Sequence, residues 1–300
     1  MRRSLLLLAS IILILSGCSG KSVDNSKINI GVSIGPEEAF VNAVLGDKGT
    51  VTTVIPSGFS PANYQPSPKE LEHISDADLY FTIGVAAENN ILPKVVSNKT
   101  EVISLKDASE KQYPILYLDN HSHEHEHEET TEHEEEETSK VIDPHIWMSP
   151  KRVIVMINTI RDSLSDIDPE NKDYYDDNAA KYIAELEELD IYIEETLKKS
   201  NIDNFIIYHP SLGYFANDYG LNMMVIEEDG KTATIETMTK VINFAKEHDI
   251  KVVFYQQEFD SKQATVIADE INGKVISLDI LSKEYIDNYK KIVDTFVSSY

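Results

Sequence analysis

One cysteine among 300 residues leaves no partner for a disulfide within the chain and excludes Cys-rich zinc or iron–sulfur sites. Basic residues are scarce as well: 27 Lys and Arg stand against 52 Asp and Glu, a formal net charge of −25. Nucleic acid is thereby excluded as a partner, because phosphate contacts need clustered Lys and Arg. Docking of the protein surface on an anionic membrane face is excluded for the same reason. Catalytic signatures are missing too. No GxSxG, P-loop or GxGxxG occurs, and the one HExxH-like run, His123-Glu-His-Glu-His127, lacks the apolar helical face that a metalloprotease motif needs. The chain is therefore read as a binding protein and not an enzyme. Its hydrophobic fraction of 41% is ample for a globular core.

The first twenty residues, MRRSLLLLASIILILSGCSG, pass from two arginines through a largely apolar stretch, Leu5 to Leu15, to small residues. That order is a secretory leader, and the stretch is shorter than the ~20 residues of a membrane span. Leu15-Ser16-Gly17-Cys18 resembles a bacterial lipobox, which implies a leader over 1–17 and a lipid on the Cys18 sulfur. Residues 18–27, polar and small, are expected to form a tether. The body is expected outside the cytoplasmic membrane, at the cell surface or in the periplasm, touching the membrane only through the lipid.

The body alternates strand and helix patterns, which predicts an α/β fold with mainly parallel four-stranded sheets flanked by helices. Strands are expected at 28–34, 51–55, 79–83 and 102–105, and again at 205–208, 223–226, 252–255 and 275–278. Ser67 and Ser149 read as helix N-caps, and Gly220 and Gly273 as helix ends. From Asp173 to Lys199 neither Gly nor Pro occurs, and Tyr175, Ala179, Tyr182, Leu186, Leu189, Ile193 and Leu197 form one apolar stripe at helical spacing. A helix of that length, at 1.5 Å per residue, reaches roughly 40 Å. The expected organisation is an N-terminal lobe over 28–167, a rigid linking helix over 168–200 and a C-terminal lobe over 201–300, with ligand held in the cleft between the lobes.

Histidine is concentrated in one place. His121, His123, His125, His127 and His133 alternate with acids in a segment, 119–140, without apolar residues to bury. Such a run is expected to be disordered and to gather Zn²⁺ or similar cations on many weak sites. His73 and His248 lie in charged helical patterns and read as solvated. His145, in DPHIWMSP, and His209, ending FIIYH, fall instead at the open, carboxyl ends of strands where ligands bind. One histidine from each lobe can clasp a cation. Candidate oxygen donors are Asp279, directly after VISL, Glu258 in FYQQEFDSKQ, and Asn63 and Gln65 in the loop SGFSPANYQP.

With these motifs in order, the chain resembles the metal-binding proteins of zinc and manganese ABC importers, the cluster A-I solute-binding family. The resemblance runs from Ile28 to the C-terminus through GFSPANYQPSPKELEHISDADLYFTIG, the acidic His loop, DPHIWMSP, YHPSLGYFANDYGL, VVFYQQEFDSKQA and VISLDILSKEYIDNY. It implies two α/β lobes joined by one helix, and a cation held by residues from four places. Three of them correspond to His145, His209 and Asp279. At the fourth the family's Pro-His-Thr-Tyr is Pro61-Ala62-Asn63-Tyr64 here, so the expected histidine is Ala62. Asn63, Gln65, Glu258, water or a loop histidine are the candidates to replace it. The implied role is capture of Zn²⁺, with Mn²⁺ the alternative cargo, by a monomer that delivers it to an ABC permease and its ATPase. A surface metal buffer or adhesin is the alternative role.

Overall fold

The computed structural model describes residues 27–95, 99–118, 141–227 and 230–300. The expected leader, Cys18, most of the tether and the five loop histidines lie outside the described residues. The first half runs β1 (Ile28–Val32), α1 (Gly35–Leu45), β2 (Gly49–Thr53), α2 (Pro68–Glu72), β3 (Leu79–Thr82), α3 (Glu88–Val95), β4 (Glu101–Ser104) and α4 (Leu105–Glu110). Its strands pair in parallel in the order β2-β1-β3-β4. The inner strand β3, LYFT, is buried along its length, which is why it reads as an unbroken apolar run. Ser67 caps α2 through its side chain and Ser149 caps the helix that follows the His145 segment, as their sequence contexts predict.

Two short strands, β5 (Tyr117–Leu118) and β6 (Val141–Ile142), pair antiparallel and bracket 119–140. A 3-10 turn over Ile146–Met148 leads into α5 (Pro150–Ile167), and α6 (Lys172–Ser200) follows. The 29 residues of α6 carry the expected stripe: Tyr175, Ala179, Leu186, Leu189, Ile193 and Leu197 are buried. The helix ends at Asn201, whose φ of 54° is left-handed. It packs against α1 and α5 of the first half and against the last helix of the second, Tyr285–Ser298.

The second half runs β7 (Asn204–Ile207), α7 (Gly213–Tyr219), β8 (Asn222–Val225), α8 (Ile235–Glu247), β9 (Val252–Gln256), α9 (Lys262–Glu270), β10 (Lys274–Leu278) and α10 (Tyr285–Ser298). Its parallel order, β10-β9-β7-β8, repeats the winding of the first sheet read from the other edge. One apolar core joins both sheets through α5, α6 and α10, and a smaller one lies under α8 and α9. Gly220 ends α7 with φ of 71°, as expected. Gly273 does not end α9. Asn272 takes the left-handed φ of 52°, and Gly273 is glycine because a Cβ would strike the Lys251 carbonyl oxygen. Among the described residues no helix is long and apolar enough to cross a membrane.

Candidate metal centre

His145 and His209 come from different halves and meet. Their Nε2 atoms lie 3.3 Å apart. His209 lies two residues past the end of β7, at the point where the second sheet winds in opposite directions to β8 and β9. His145 sits between β6 and the 3-10 turn.

Each ring is fixed by a carboxylate on its other nitrogen. Asp143 Oδ1 accepts from the His145 backbone N at 2.9 Å and from its Nδ1 at 2.7 Å. His209 Nδ1 lies 3.0 Å from each Glu227 oxygen. In the neutral rings this arrangement puts the proton on Nδ1 and leaves both Nε2 lone pairs facing the gap. Both carboxylates are themselves placed by the fold. Past the end of β8, Ile226 N donates to Ile207 O at 3.0 Å and Glu227 N to Tyr208 O at 2.9 Å, which carries Glu227 alongside His209. Asp143 N donates to Leu116 O at 2.9 Å and its carbonyl accepts from Tyr214 Oη at 3.2 Å. Gly213 has no Cβ because one would collide with Asp143 Oδ2.

Phe259 stacks on the His209 ring, with centroids 4.3 Å apart and planes 19° from parallel. Trp147 packs beside His145 at 5.3 Å. Burial is the main influence on His209 and lowers its pKa below the usual 6.5; His145 adds to that, while Glu227 pulls the other way. Zinc–imidazole bonds run about 2.0–2.1 Å, so two nitrogens 3.3 Å apart subtend an angle of about 107° at a shared ion, close to tetrahedral.

The pair faces a cavity of about 750 Å³ between the two halves. Ser60, Pro61 and Ala62 line it, so the position of the expected first-lobe histidine is on the wall and carries a methyl group. Asn63 and Gln65 are exposed and are not on that wall. Nor are Asp279 and Glu258. Asp279 is half-buried, and its Oδ1 accepts from Leu281 N at 3.1 Å. Glu258 has both oxygens buried without a well-formed hydrogen bond, and its pKa is raised, chiefly by burial and in lesser measure by Asp279. Among the described residues no three His, Cys, Asp or Glu side chains converge to hold an ion. His73 and His248 are exposed.

Asp143 and Glu227 are the site residues that motif reading passed over. Their signals are an acid two residues before His145, in DPH, and an acid just past MMVI, whose strand pairs with the one that leads to His209.

The sequence pattern of the ZnuA family, described as zinc-uptake complex component A, periplasmic, matches residues 30–299. The high-affinity zinc uptake system protein ZnuA of Bacillus subtilis is 31% identical over 98% of this chain and 96% of its own length. The zinc-binding lipoprotein AdcA of Streptococcus pneumoniae is 30% identical over 94% of this chain, which spans only 56% of AdcA. A crystal structure of ZnuA superposes with a TM-score of 0.79 at 30% identity, covering 91% of this chain and 99% of that one. The chain is a member of the ZnuA family.

Proposed function

We propose that the chain is the extracytoplasmic solute-binding component of a zinc ABC importer, and that it takes Zn²⁺ from outside the cell and passes it to a membrane permease driven by an ATPase. One observation carries this reading: two imidazole nitrogens 3.3 Å apart, each ring held from behind by a carboxylate, on the wall of a cavity between two α/β halves. Such carboxylate–histidine pairs orient metal ligands and strengthen them as bases. Two nitrogen donors favour Zn²⁺ over Mn²⁺. The relatives' roles in zinc uptake agree with it.

In this reading His145 and His209 are the ligands, and Asp279 is the carboxylate that joins them only if the end of β10 moves toward the cavity. Residues 28–167 and 201–300 act as the two lobes and 168–200 as the strut, the whole working as a monomer. Residues 1–17 are the leader, and Cys18 carries the lipid that keeps the protein near its permease. The histidine-rich segment, with His121, His123, His125, His127 and His133, gathers ions for the cleft; its flanking residues Leu118 and Val141 line the cavity. The protein binds and releases and performs no catalysis.

Zinc titration of the purified chain tests the ligand set. His145→Ala and His209→Ala are each expected to remove the tightest binding event and to spare the weak multi-site events of the histidine-rich segment. Asp279→Ala is expected to weaken the tight event less. Unchanged tight binding in both histidine variants overturns the assignment.

A further inference from the structure

The two rings of the grip are held in different ways. Asp143 Oδ1 accepts from the His145 backbone N at 2.9 Å and from its Nδ1 at 2.7 Å. One oxygen thus ties the ring to its own main chain, which gives the ring a preferred setting. Glu227 instead presents both oxygens to His209 Nδ1 at the same 3.0 Å. As that imidazole turns about its Cβ–Cγ bond, the Nδ1 proton passes from one oxygen to the other at little cost, and a torsion of this kind is broad in itself. The hydrogen bond fixes which nitrogen carries the proton. It does not fix the plane of the ring.

The plane is what a metal feels. The Nε2 lone pair lies in it, so the plane decides where that lone pair points. The His145 and His209 rings stand 78° apart with their Nε2 atoms 3.3 Å from each other. A turn of His209 swings its lone pair away from the point it shares with His145 while the bond to Glu227 persists.

Phe259 opposes that turn. Its ring lies 4.3 Å from His209, with the planes 19° from parallel. Two flat faces in contact resist rotation, because turning one drives its edge into the other. Phe259 is itself anchored: its N donates to Gln256 O at 3.0 Å in the turn that closes β9, and its ring packs beside Tyr208 on the smaller core. The strands β8 and β9 are the two neighbours of β7, which leads to His209. Glu227 arrives from one neighbour and Phe259 from the other, so the imidazole is held by an edge and by a face.

Resting on the zinc-binding reading above, we propose that Phe259 is a positioning residue for the metal: it sets the plane of His209 and so keeps the two Nε2 lone pairs converging on one point. It acts through His209, and the requirement is for a flat side chain and not for apolar volume.

Cobalt(II) bound to the purified full chain tests this, because its visible absorption changes in position and strength with the number and angle of its ligands. The double variant His145→Ala, His209→Ala keeps the histidine-rich segment and supplies the background spectrum. Phe259→Leu is expected to change the cobalt spectrum and to weaken tight zinc binding about tenfold. Phe259→Tyr, which keeps the flat face, should retain the spectrum and the affinity of the unaltered protein. Phe259→Val offers a second side chain without a flat face should the leucine variant not fold. An unaltered spectrum and affinity in Phe259→Leu overturns the proposal. Equal losses in Phe259→Leu and Phe259→Tyr overturn it too, because a flat face would then not be what matters. Both results leave the importer reading standing, whereas tight zinc binding that survives His145→Ala and His209→Ala removes the cleft reading itself.

Discussion

Trp147 Nε1 donates to the Ile280 carbonyl oxygen at 2.9 Å, tying the segment that carries His145 to the loop that carries Asp279. Two buried tyrosines of α10 strengthen the tie: Tyr285 Oη donates to Trp147 O at 2.6 Å and Tyr289 Oη to Met148 O at 2.7 Å. His145 is thus mounted on the second half of the molecule as firmly as on the first. Tyr289→Phe leaves the Met148 carbonyl buried without its donor, at a cost of about 1–3 kcal/mol. Denaturant unfolding should show that loss, while the zinc affinity of the surviving folded protein falls by less than tenfold.

The carboxylates behind the rings lead to a complementary outcome. Asp143→Asn and Glu227→Gln keep the shape of each group and remove its charge. Loss of such partners commonly costs about 10–100-fold in metal affinity. Competition with a chromogenic zinc chelator should give that drop in both variants. A drop of similar size for Asp143→Asn and Glu227→Gln, from opposite halves, is what a shared ion requires.

Proton competition follows from His209. Zinc needs its Nε2 unprotonated. Burial holds the group below its ordinary 6.5, so the share of proton competition that comes from His209 should set in only below that pH. Stability of the metal-free chain has the same sign. A histidine whose folded-state pKa is depressed contributes stability that is complete above the unfolded value and is lost as pH falls through the folded one. Thermal unfolding of the metal-free protein between pH 7.5 and 5 should show the decline, and His209→Gln should flatten its share of it.

Much of this was legible in the residues. The stripe from Tyr175 to Leu197 has one solution, a long helix buried on one side, because its period matches only 3.6 residues per turn. His145 and His209 stand out because one falls in each half, each in a loop at the open face of a sheet, in a chain that also carries a histidine-rich run. What pairing decides was hidden. Glu227 reaches His209 only because β7 and β8 pair in parallel with Ile207 opposite Val225, and no local pattern states which strands are neighbours. Asp279 shows the converse. It satisfies the strand-end rule as well as the histidines do, yet its carboxylate turns to Leu281 N. Side-chain direction in a loop is set by nearby backbone donors that motif spacing does not encode. The exchange between Gly273 and Asn272 has a similar origin: the glycine answers a carbonyl from a distant residue, Lys251.

A last outcome concerns two acids that no motif singled out. Glu37 is fully buried in α1; its Oε2 accepts from Ser33 N at 3.0 Å and Ile34 N at 3.1 Å, and its Oε1 has no partner among the described residues. Glu88 accepts from Ser33 Oγ at 2.6 Å, Ile83 N at 2.9 Å and Gly84 N at 2.9 Å. Burial raises both above the usual carboxylate range, and the charge of Glu88 pushes Glu37 up further. A carboxyl whose folded-state pKa is raised contributes stability that is complete below its unfolded value of about 4.5 and is lost as pH rises through the folded value. Glu37→Gln keeps an oxygen for Ser33 and Ile34 and removes the charge, so it should raise the unfolding temperature at pH 8. The gain should shrink as pH falls toward 4.5, where the native carboxyl is protonated. Gly84 and Val85 line the cavity that His145 and His209 face, just beyond the Glu88 contacts, so the variant should also leave zinc affinity unchanged if that strand end keeps its place. Thermal scans at pH 8, 6 and 4.5, with one zinc titration at pH 7.5, check both halves, and an equal gain at every pH would mean that packing and not charge sets the difference.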